Sequence, residues 1–108
     1  MTVEAVDTKN ALLIAESVAE SYKAFAGVAE KTAETFGGTV LEDSINKIVS
    51  IYYDNNWQPC GETEAVFILH LMVNNINESS VLFADIAVSR VTTNDELISL
   101  TVAARRER

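Results

Sequence analysis

A chain of 108 residues is too short for two ordinary domains; its 48% hydrophobic content, with four Gly, one Pro and one Cys, excludes wholesale disorder, a collagen-like repeat and a disulfide scaffold. The formal charge is −8, and because Arg105, Arg106 and Arg108 close the chain, residues 1–104 hold five basic against fifteen acidic side chains. Such a body repels phosphate backbones, so nucleic acid is not the expected ligand, and long-range attraction favours a basic protein partner.

No apolar run approaches the roughly eighteen residues of a membrane span. The start, Met1 to Asp7, is acidic where a secretory leader is basic. With Cys60 as the lone thiol, these features predict a single cytoplasmic domain with no membrane contact.

In chain order, residues 1–6 read as a frayed start and 7–36 as a long helix. Asp7 or Thr8 supplies a cap, and Gly37-Gly38 supplies a stop. Ala15, Val18, Tyr22, Phe25, Ala29, Thr32 and Phe36 fall at helical spacing, with Leu12, Ala19, Ala26 and Ala33 beside them. The small residues let another element approach closely. A continuous helix of that length spans on the order of 40 Å, more than so small a domain needs, which hints at a contact between subunits. Gly27 is the one place where it is expected to kink.

Residues 39–53 fit two patterns. Thr39 and Glu42 stand at capping-box spacing ahead of Leu41, Ile45, Ile48 and Tyr52, which predicts a second short helix over about 40–47. Ile45, Lys47, Val49, Ile51 and Tyr53 also alternate, as a strand does, and 48–53 stays open between the two. Residues 54–64 read as a loop, rich in Asn with Pro59 and Gly61. The rest, 65–104, reads as an antiparallel meander: strands at Ala65–Val73, Ser80–Val91 and Glu96–Ala104, with a polar turn over Asn74–Ser79, and a basic tail at 105–108. The last strand competes with a helical alternative. The expected architecture is α+β, a long N-terminal helix packed on an antiparallel sheet of three to four strands.

Alternation assigns the strand faces. Phe67, Leu69, Leu71 and Val73 pair with Leu82, Ala84, Ile86 and Val88, and with Ile98, Leu100, Val102 and Ala104, as the face toward the helix. The opposite face then holds Val66, Ile68, His70, Met72, Phe83, Asp85, Ala87 and Leu97, too apolar to stay in water. Its cover is expected to be a second copy of the chain, residues 40–53, or another protein.

Few residues invite chemistry. His70 is the only histidine, so one chain builds no multi-histidine metal site; opposite or diagonal to Asp85 it makes either a His–Asp acid–base pair or a satisfied polar contact under a partner. Cys60 lies near Glu62 and Glu64, which disfavour a thiolate. Asp54, Asn56, Gln58, Glu62 and Glu64 imitate a calcium loop, but Pro59 stands where a turn Gly belongs and Ala65 where a bidentate Glu belongs. No phosphate-binding Gly-rich loop, nucleophile elbow or paired cysteine occurs, so no cofactor, metal or catalytic residue is expected.

These readings point to a non-enzymatic protein-binding module of the kind served by inhibitors, immunity proteins and secretion chaperones, occluding a basic protein. The expected contact residues are Tyr52, Tyr53, Trp57, His70, Met72, Phe83 and Asp85, with homodimerisation through the same surface. The alternatives are a homo-oligomeric assembly protein and a small-ligand binder or enzyme using the His–Asp pair.

Overall fold

The computed structural model describes residues 3–25, 27–42, 46–74 and 81–105, with side chains over 7–25, 27–42, 47–73 and 83–103. Two helices, α1 (Val3–Ala24) and α2 (Ala29–Phe36), precede five strands: β1 (Thr39–Glu42), β2 (Asn46–Tyr53), β3 (Phe67–Asn74), β4 (Val81–Arg90) and β5 (Glu96–Arg105). The strands form one antiparallel sheet in sequence order, β1-β2-β3-β4-β5. The α+β architecture is thus the expected one, with two more strands than the C-terminal meander alone supplies.

Helix α1 begins at Val3, so the start is helical where fraying was expected, and Asp7 lies in the second turn rather than at a cap. Ala11, Ala15, Val18, Ala19 and Tyr22 bury one face, and the small side chains let the helix lie close on the sheet. The single helix over 7–36 is not formed. Gly27 sits at φ +82°, donating its N–H to Tyr22 O at 3.0 Å, and Val28 donates to Phe25 O at 3.0 Å. Glycine enters that left-handed region without the steric penalty other residues carry. The turn sends α2 back over the β1–β2 half of the sheet while α1 covers β4–β5. The length that hinted at a subunit contact is therefore used inside the chain.

Helix α2 ends in a Schellman cap: Gly37 at φ +71°, Gly38 N–H to Ala33 O at 2.8 Å and Gly37 N–H to Glu34 O at 3.4 Å. The chain then enters β1 directly. The helix expected over 40–47 is replaced by strand: Thr39, Val40, Leu41 and Glu42 lie opposite Ser50, Val49, Ile48 and Lys47. Residues 43–45 lie outside the described residues. Pairing of the β-branched Val49–Ile51 run with β3 decides between the two periodicities, because in the sheet it buries Val49, Ile51 and Tyr53 together. The same pairing removes 40–53 as a cover for the sheet, since the segment is part of it. The turn expected at Asn74–Ser79 and the tail beyond Arg105 lie outside the described residues, apart from the ends of β3 and β5.

The core is the layer between helices and sheet. It holds Tyr22, Val49, Ile51, Tyr53, Phe67, Leu69, Leu71, Val73, Ala84, Ile86, Val88 and Val102 with the helix alanines, as alternation predicts for those positions. Val66 and Leu97, expected on the opposite face, instead pack against this core, Leu97 at the register shift of β5, and the side chains of Leu82 and Ala104 lie outside the described ones. Thr32 of α2 is fully buried and its Oγ1 finds no hydrogen-bond partner. An unsatisfied buried hydroxyl is destabilising. Thr32→Val keeps the shape and removes that hydroxyl, and is expected to raise the unfolding free energy by about 1 kcal/mol; a urea midpoint at or below that of the parent chain contradicts it.

Two ion pairs fasten helices to sheet. Lys47 Nζ lies 2.6 Å from Glu30 Oε1, tying β2 to α2, and this contact lowers the Glu30 pKa and raises that of Lys47. The Glu30 end is about half exposed, so the pair stabilises by under about 1 kcal/mol. The Glu30 contribution is present above the ordinary carboxylate pKa and lost as pH falls through the lowered value. Arg90 Nη2 lies 2.6 Å from Asp7 Oδ2, and this pair is better shielded from water. Among the described residues no helix is long and apolar enough to cross a membrane.

Candidate protein-docking face

The seven expected contact residues divide into two groups. Tyr52, His70, Met72, Phe83 and Asp85 lie on the outer face of the sheet, remote from the helices. Tyr53 and Trp57 do not.

Tyr53 has the parity of Val49 and Ile51 and is buried with them. Burial pushes its phenol up to about 12, so it stays a neutral core side chain. Trp57 packs as a lid on the core edge: its ring stacks on Phe67 at 3.8 Å between centroids, and Tyr53 lies 6.2 Å away. Arg90 sits 5.5 Å from the Phe67 centroid. The loop that carries Trp57 is folded around Asp54. Asp54 Oδ1 accepts the N–H groups of Asn56 at 2.8 Å and Gln58 at 3.0 Å, while Asp54 N–H donates to Gln58 O at 2.9 Å. The carboxylate that imitated a calcium ligand thus caps its own turn. Among the described residues no group of three or more His, Cys, Asp or Glu side chains is placed to hold a metal ion.

The outer face is ordered by register into cross-strand rows. One row runs Leu41, Ile48, Met72, Asp85, Thr101; the next runs Thr39, Ser50, His70, Ala87, Ser99. Leu41 is 66% exposed, Phe83 58% and Met72 43%, and among the described residues no element crosses them. Leu41 and Ile48 belong to this face; from the sequence Leu41 falls in 40–47, read as helix, and Ile48 in 48–53, open between helix and strand, and the alternation through Lys47, Val49 and Ile51 is the signal that could place both.

His70 and Asp85 are diagonal rather than opposite, since His70 faces Ala87 and Asp85 faces Met72. Asp85 Oδ1 accepts a hydrogen bond from Thr101 Oγ1 at 2.8 Å. Burial alone lowers the His70 pKa from its ordinary 6.5, with no carboxylate among its causes. The neutral ring is the form the fold favours. The unfolded chain takes up the proton more readily, so stability falls as pH drops through about 6.5. The acid–base dyad would need Asp85 to hold His70, and that carboxylate is bonded to Thr101.

Comparison with family models, curated proteins and solved structures finds no match.

Cys60 lies half-buried after the Trp57 turn, with its N–H bonded to Tyr52 O at 2.9 Å. Partial burial, then the carboxylates of Asp54 and Glu64, raise its pKa, so little thiolate forms near neutrality. Iodoacetamide at pH 7 is expected to label Cys60 more slowly than glutathione; labelling faster than glutathione contradicts this assignment.

Proposed function

We propose that this chain works through protein–protein contact rather than catalysis, and that the outer sheet face is the contact surface for a second copy of the chain. The observation that carries the reading is the set of exposed apolar side chains, Leu41, Met72 and Phe83, on a sheet whose other face carries the core. Charge selects the occupant. Among the described outer-face side chains the Asp, Glu, Lys, Arg or His residues are His70, Asp85 and, at the end of β5 opposite Ser89, Glu96, and Asp85 is engaged by Thr101. A strongly basic partner has little to recognise at the middle of that face, whereas a two-fold copy brings the same apolar side chains together and meets acidic groups only at Asp85, held by Thr101, and at Glu96 on the strand end. The single thiol fits a cytoplasmic setting.

Sedimentation equilibrium tests the reading. The parent chain is expected to be dimeric at micromolar concentration, and Phe83→Asp to shift it to monomer with a roughly hundredfold weaker dimer, the cost of placing a carboxylate in a desolvated interface. A parent chain that stays monomeric at high concentration overturns the proposal. The reading as an inhibitor, immunity protein or chaperone of a basic partner rests on the acidic charge, which lies away from this face.

A further inference from the structure

Strand β5 is an edge of the sheet, and among the described residues no further strand pairs with it. Its ten residues, Glu96–Arg105, carry no proline, and their only charged members stand at the two ends. The opposite edge, β1, has four residues and is protected by its shortness. The direction of the free main-chain groups follows from register. Val91 N–H bonds Val66 O toward β3, while Arg90 N–H bonds Asp95 O toward β5. Even-numbered residues of β4 therefore direct their main chain to β5, where their partners are Ile98, Leu100 and Val102. The N–H and C=O groups of Ser99, Thr101 and Ala103 consequently point away from the sheet.

Alongside this edge runs a groove of about 690 Å³ between β5 and α1, lined on the helix side by Leu13, Glu16, Ser17, Ala19, Glu20 and Lys23, which leaves the helix wall with one net negative charge. Leu13 is 53% exposed there, and Glu16 and Glu20 are exposed, Glu20 lying 4.0 Å from Lys23. We infer that β5 and α1 form a docking site for an extended basic peptide segment of another protein, which adds to β5 as a sixth strand and turns its basic side chains toward Glu16 and Glu20. Main-chain hydrogen bonds to Ser99, Thr101 and Ala103 supply affinity, and the alternate side chains that lie under α1 supply selectivity. A second copy of β5 is a poor occupant, because its two-fold mate brings another Glu16 and Glu20 into the same groove. The inference is independent of the outer face, which lies in a different plane of the sheet.

The test uses three eight-residue capped peptides, alternating Lys–Val, Lys–Pro and Glu–Val, titrated into the intact chain. Lys–Pro carries the same charge but offers no N–H from its prolines. Lys–Val is expected to bind at least tenfold more tightly than either of the others. Glu16→Lys combined with Glu20→Lys should weaken Lys–Val at least tenfold, and Ser99→Pro, at an outward-pointing N–H, should erase its advantage over Lys–Pro. Phe83→Asp should leave all three affinities unchanged, which separates this site from the dimer face. The glutamate reversals alter exposed side chains alone, so they keep the test decisive if Ser99→Pro lowers the melting temperature. Equal binding of Lys–Val and Lys–Pro, no binding of Lys–Val, or insensitivity to the glutamate reversals overturns the inference. So does a dimer that Ser99→Pro, rather than Phe83→Asp, dissociates.

Discussion

Trp57→Ala is expected to lower the unfolding free energy by about 2–3 kcal/mol, and Trp57→Gly by about 1 kcal/mol less. The loss in both comes from the indole stacked on Phe67 at 3.8 Å, which closes the end of the core beside Tyr53. The difference comes from the backbone. Trp57 stands at φ +60°, a left-handed position in a short turn where glycine or asparagine normally sits. Holding a bulky residue there costs about 1–2 kcal/mol, so the stacking outweighs a strain that alanine retains and glycine relieves. Asn94, the other non-glycine residue described at φ +60°, is of a type that tolerates the conformation. Urea denaturation of the two variants checks the order. Glycine as the more damaging substitution would mean that the turn is unstrained.

The second large effect belongs to Asp7. Asp7→Ala removes the partner of Arg90 and leaves a guanidinium largely shielded from water against Phe67, which is expected to cost about 2–3 kcal/mol. Asp7→Asn keeps a hydrogen-bond acceptor and should cost less. Most of the penalty is the stranded charge, so Arg90→Met in the Asp7→Ala background should recover part of it. In a double-mutant cycle the coupling between the two positions is expected to exceed about 1 kcal/mol. A coupling near zero would show that the 2.6 Å contact behaves as an ordinary exposed pair.

These two effects mark the limit of what the sequence displays. Alternation placed β3, β4 and β5 and their inward residues, because Phe67, Leu69, Leu71, Ile86 and Val88 form an unbroken apolar face whose neighbours are mixed. Residues 39–53 were ambiguous, because Leu41, Ile48 and Tyr52 recur at a spacing a helix accepts; pairing with β3 decided it, and that partner is remote in sequence. The break at Gly27 was visible as a weak point, but its depth depends on a left-handed φ that composition does not encode. Asp7 and Arg90 are 83 residues apart, and no local pattern joins them. Trp57 was legible as an aromatic in a polar loop, and only its ring contacts separate a lid over the core from a contact residue. Of the candidate docking residues, Tyr52, His70, Met72, Phe83 and Asp85 came together because strand parity is a strict rule. Leu41 was lost with the segment misread as helix and Ile48 with the one left open, and the groove beside β5 depends on where α1 lies across the sheet.

The most direct measurement of the outer-face assignment is an isotope-mixed nuclear Overhauser experiment, with half the chains carbon-13 labelled and half unlabelled. Intermolecular cross-peaks are expected from the Met72 and Leu41 methyl groups to aromatic protons of the unlabelled chain, and none from Leu13 beside β5. Intermolecular peaks confined to Leu13, or their absence from Met72 and Leu41 in a sample that sediments as a dimer, would contradict it.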